Sequence, residues 1–78
     1  MKLPKRNSLA ALRIAARYPS SARELRIQRD VLRNAMDGFK RETEQSIRTS
    51  RDKRQADRTI AYFSGFIRDI GIALGDEG

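Results

Sequence analysis

From Ala22 to Leu74 the chain contains no proline and only three glycines, Gly38, Gly65 and Gly71. Sustained period-2 alternation, the mark of a half-buried strand, is absent. The pattern predicts an all-α fold, with the question of how many helices the stretch is divided into.

The difficulty lies in its middle. Lys40 to Arg58 reads KRETEQSIRTSRDKRQADR, with Ile47 and Ala56 as its apolar residues. One apolar seam precedes it (Leu25, Leu32, Met36, Phe39) and a second follows (Ile60, Phe63, Ile67, Ile70, Leu74). On a straight helix the seams lie about 100° apart. Counted in sevens, however, Leu25, Leu32, Phe39, Ser46, Lys53, Ile60, Ile67 and Leu74 share one heptad position. A 3.5-residue period drifts by about 20° per heptad, and a left-handed supercoil would remove that drift. Lys40–Glu44, Glu44–Arg48, Arg48–Asp52 and Lys53–Asp57 are opposite charges at i,i+4, each worth a few tenths of a kcal/mol to a helix. The ladder favours one long helix. The alternative is a two-helix hairpin bent near Thr49–Ser50 or Arg58–Thr59.

Upstream, Asn7 or Ser8 can cap a short helix whose face is Leu9, Leu12 and Ala16, with Ile14 off it. Pro19 disfavours helix at Tyr18. Ser21 and Glu24 then have capping-box spacing, predicting a second helix from about Ala22. The expected organisation is a basic arm over residues 1–7, one helical domain over 8–75 and an acidic tail over 76–78. IAARYPSSAREL is similar to a helix-turn-helix at Ala15 and Leu25, but Pro19 stands where that motif takes a glycine of positive φ.

A chain of 78 residues buries a marginal core unless something adds to it. With no cysteine there are no disulfides, and with no histidine zinc sites and histidine-based catalysis lose their usual residues. No metal, cofactor or small-molecule substrate is expected, and no enzymatic activity. Glu42, Glu44, Asp52 and Asp57 each have a basic neighbour at helical spacing, which suits salt bridging. SGFIRDIGIALG lacks the lysine of a phosphate loop. Extra burial is left to oligomerisation or to docking on a larger protein. Leu25, Leu32, Phe39, Ile60, Phe63, Ile67, Ile70 and Leu74 are the expected assembly residues.

Charge points to a second kind of partner. The net charge is +7, and residues 1–34 hold nine Lys/Arg against Glu24 and Asp30. Residues 35–78 hold eight of each sign, so the first third carries the whole excess. Arg13, Arg17, Arg23, Arg26 and Arg33 are the expected contacts for an anionic surface. The arginines of the middle stretch are expected to matter less, because acids beside them neutralise much of their field. Arg26, Arg33, Lys40, Arg54 and Arg68 also share one heptad position and, widened by Arg29, Arg51 and Arg58, could line a basic stripe that tracks phosphates.

The sequence thus predicts a non-enzymatic, basic helical interaction protein, assembling through its C-terminal helix and meeting an anionic surface with its N-terminal third. Its size and basicity suit an accessory protein of a virus or mobile element. The alternatives are a small nucleic-acid-binding regulator, and an inhibitor or adaptor that caps a target protein. Arg13 and Arg17 interrupt the only candidate signal segment, and Ile60–Leu74 is too short to span a bilayer. A cytoplasmic or virion-associated location is expected, not secretion.

Overall fold

A computed structural model describes residues 6–46 and 48–75. Three helices account for nearly all of them, and there are no strands among the described residues: α1 (Leu9–Ala15), α2 (Pro19–Ser46) and α3 (Ser50–Leu74). The acidic tail 76–78 and residues 1–5 of the basic arm lie outside the described residues.

Each helix begins and ends for a local chemical reason. Ser8 caps α1, its hydroxyl accepting from the Ala11 N–H at 3.2 Å. After Ala15 the chain tightens, with Arg17 N–H donating to the Ile14 carbonyl and Tyr18 N–H to that of Ala15, both at 3.2 Å. The second helix starts three residues before the expected Ala22. Pro19 takes its first position, where a missing N–H costs nothing. The Tyr18 carbonyl accepts the first helical bond, from the Ala22 N–H at 2.8 Å. Ser21 and Glu24 therefore sit inside the helix. Gly75 ends α3 at φ 77, a left-handed conformation that suits glycine, with its N–H donating to the Ile72 carbonyl at 3.1 Å.

The continuous heptad helix is not formed. The chain breaks after Ser46, and Thr49 starts α3 from an extended conformation (φ −130, ψ 162). Its hydroxyl accepts from the Asp52 N–H at 3.1 Å, and its carbonyl from the Lys53 N–H at 3.1 Å. Asp52 adds a carboxylate to the positive end of the helix. Two pairs of the charge ladder, Glu44–Arg48 and Arg48–Asp52, straddle this break; Lys40–Glu44 and Lys53–Asp57 each stay within one helix. The hairpin bent near Thr49–Ser50 is the alternative adopted.

Burial explains the outcome. A long helix would leave two apolar seams facing about 100° apart with nothing of its own to cover them. Folding back at Thr49 turns α3 onto α2, so each seam covers the other. The molecule measures 45 × 23 × 19 Å, about the length of the 28-residue α2 alone.

The core lies toward the open end of the hairpin. Leu12 of α1, Leu25 of α2, and Phe66 and Ile70 of α3 are its buried centre, with Ala15, Ala16, Leu32, Tyr62, Ala73 and Leu74 packed around them. Leu12 and Ile70 have essentially no exposed surface, at 1% and 0%. Ile14, off the predicted face, is 55% exposed. Tyr62 meets Phe63 and Phe66 edge-on, at centroid distances of 5.5 and 6.1 Å, which suits the ring quadrupoles. Toward the turn the apolar supply falls away, and Ala56 is the buried residue there.

Candidate anion-binding surface

The arginines singled out from the sequence all reach solvent. Arg13 is exposed on α1, Arg17 on the turn that follows, and Arg23, Arg26 and Arg33 along α2. Arg26, Arg33 and Lys40, seven residues apart, run down one flank of α2. Helical geometry places that flank about 80° from the core-facing line of Leu25, Leu32 and Met36.

The middle stretch behaves differently from its linear charge pattern. Arg51, Arg54 and Arg58 are exposed and line, with Gln55, a concavity of about 450 Å³ on α3. Asp52 instead lines a groove of about 350 Å³ between the helices, with Phe39, Thr43 and Ser46 across from it. Asp57 lines another groove, of about 440 Å³, with Lys40, Glu44, Lys53 and Ile60. Neither acid therefore lies in the arginine concavity, although both are neighbours in sequence.

The expected assembly residues divide by burial. Leu25, Phe63 and Ile70 are buried by the chain's own helices, while Leu32, Phe39, Ile60, Ile67 and Leu74 are half-buried. Ser46 and Lys53, the polar members of the same heptad line, are exposed. The large apolar side chains left most open are elsewhere: Ile14, Tyr18, Ile27 and Val31.

One arrangement had no counterpart in the sequence reading. Asp69, 8% exposed, accepts an ion-paired hydrogen bond from Arg6, which comes from before α1. Arg68, adjacent in sequence, holds its Nε 3.9 Å from the other carboxylate oxygen. A Cβ at residue 65 would collide with the Arg6 guanidinium, so Gly65 opens the path by which Arg6 reaches Asp69. No local pattern links positions so far apart; a lone acid within an apolar run was the available signal.

The hydroxyls near the hairpin turn are spent on their own backbone. Thr43 donates to the Phe39 carbonyl at 2.9 Å, Ser46 to that of Glu42 at 2.9 Å and Thr59 to that of Gln55 at 3.2 Å. Such bonds fasten a hydroxyl to its helix. Among the described residues, no three or more acidic side chains gather as a metal site would require. No described helix is long and apolar enough to cross a membrane. No family model, curated protein or solved structure matches the chain.

Proposed function

We propose that this chain is a non-enzymatic helical module that binds an anionic polymer through its arginine-rich surface, nucleic acid being the class it fits best. The observation carrying this is the division between what is buried and what is displayed. Phe63 and Ile70, central to the C-terminal seam, are consumed in the chain's own core, while Arg13, Arg17, Arg23, Arg26 and Arg33 are all exposed. The five arginines are the charged part of what the N-terminal third displays, beside the open apolar side chains of Ile14, Tyr18, Ile27 and Val31. Each guanidinium that neutralises a phosphate releases a condensed counterion, so binding weakens as salt rises. Reversing Arg17, Arg23 and Arg26 to glutamate is expected to abolish binding to a short duplex DNA at moderate salt while leaving the helical signal unchanged. Undiminished binding by that variant would remove the N-terminal third from the interface.

Self-assembly is supported by a smaller observation. Ile60, Ile67 and Leu74 keep part of their surface free along one edge of α3. Ile67→Asp should then lower the solution mass without unfolding the chain, whereas Ile70→Asp, at a fully buried position, should unfold it. A solution mass equal to one chain for the wild type would exclude this second reading.

A further inference from the structure

Resting on the nucleic-acid binding proposed above, we infer that Arg51, Arg54 and Arg58 form a second phosphate-binding face, on the first half of α3. These side chains are spaced three and four residues apart, which confines them to an arc of about 60° on one side of the helix. All three are exposed, and with Gln55 they line an open concavity of about 450 Å³.

Helix periodicity turns these arginines away from the acids that neighbour them in sequence. Asp52 and Asp57 lie about 90° or more round the helix from the mean direction of the three arginines. Each lines a groove shared with α2. The periodicity of α3 thus sorts the charges of a mixed segment. Its acids turn toward the α2–α3 grooves and three of its cations turn outward together. Gln55, beside them, offers both a donor and an acceptor at no cost in charge.

The spacing suits a polyanion better than a single ion. Arg51 and Arg58 are separated by about 10 Å along the helix axis. That length exceeds the distance between neighbouring phosphates on one strand of duplex DNA, so the three guanidinia can reach more than one phosphate. Arginine is also the residue that meets phosphate oxygens with two parallel hydrogen bonds.

The test is fluorescence anisotropy with a fluorescein-labelled, mixed-sequence duplex DNA, titrated with the full chain at several salt concentrations. The triple variant R51Q/R54Q/R58Q should reduce the slope of log K against log salt by about 3, one contact per arginine lost. R51K/R54K/R58K should retain most of that slope, since lysine keeps the charge. Circular dichroism should match the wild type for both. A wild-type slope retained by the glutamine variant would overturn the inference and leave the binding proposed for the N-terminal third standing. Loss of slope in both variants alike would also overturn it, by assigning the effect to something other than charge. Absence of salt-dependent DNA binding in the wild type, including a case where only phosphatidylserine vesicles are bound, would overturn both.

Discussion

Arg6 and Asp69, 63 positions apart in sequence, are joined by an ion-paired hydrogen bond that fastens the segment before α1 to α3. This contact closes the fold. α1 is only seven residues long and could not persist alone in water. It is held from one side by Leu12, sunk between Leu25, Phe66 and Ile70, and at its start by Arg6 on Asp69.

Removing one partner should cost more than removing both. Arg6→Ala leaves a largely buried carboxylate with the Arg68 Nε 3.9 Å from one of its oxygens, and should destabilise the fold by about 1–3 kcal/mol. In R6A/D69N the orphaned charge is gone, so the double variant should be less destabilised than the sum of its singles. Urea unfolding of all four forms gives the coupling directly. A coupling indistinguishable from zero would mean the ion pair contributes nothing.

Two helix-interior glycines should respond unequally to alanine. A Cβ at Gly38 meets nothing within 4 Å. Gly38→Ala should therefore stabilise α2 by about 0.5–1 kcal/mol. At Gly65 the added methyl strikes the Arg6 guanidinium. Because those atoms are the tip of a flexible side chain, Gly65→Ala should gain less than Gly38→Ala, and the difference should shrink when Arg6 is already alanine. Thermal melts of the three variants test this, and equal gains at the two glycines would refute the close passage of Arg6.

Thr49 sets the hairpin bend through its hydroxyl. Thr49→Ala removes the acceptor for the Asp52 N–H and should cost about 0.5–2 kcal/mol. Thr49→Ser keeps the acceptor and should stay within a few tenths of a kcal/mol of wild type. Amide exchange adds a local readout: protection of Asp52 should fall in the alanine variant before that of Ile70.

The fold class, the Ser8 cap, the buried Leu12 and the exposed Ile14 were legible in the sequence because each is decided within one or two helical turns. The number of helices was not. The i,i+4 ladder of Lys40–Asp57 argues for continuity at a few tenths of a kcal/mol per pair. Pressing the seam of Phe63 and Ile70 against that of Leu25 removes whole side chains from water, at about 1.5–3 kcal/mol each. The second effect is the larger, and it acts between residues that no local window contains. Thr49 and Asp52 had the spacing of a cap all along, with aspartate in the place usually given to glutamate. The separation of Asp52 and Asp57 from Arg51, Arg54 and Arg58 follows from the periodicity of α3 itself and was already implied once charge was counted around a helix. The fold-back decides only which of these sides faces α2. The Arg6–Asp69 contact depends on the packing of α1 and had no local signature at all.

The central claim is that a chain of net charge +7, with its C-terminal seam largely turned inward, uses its outward arginines to bind nucleic acid. The most direct measurement is the affinity of the wild-type chain for a mixed-sequence duplex DNA across a series of salt concentrations. The account predicts that log K falls linearly with log salt, with a slope corresponding to several phosphate contacts. An affinity that does not change with salt, or no binding at the lowest salt tested, would contradict it.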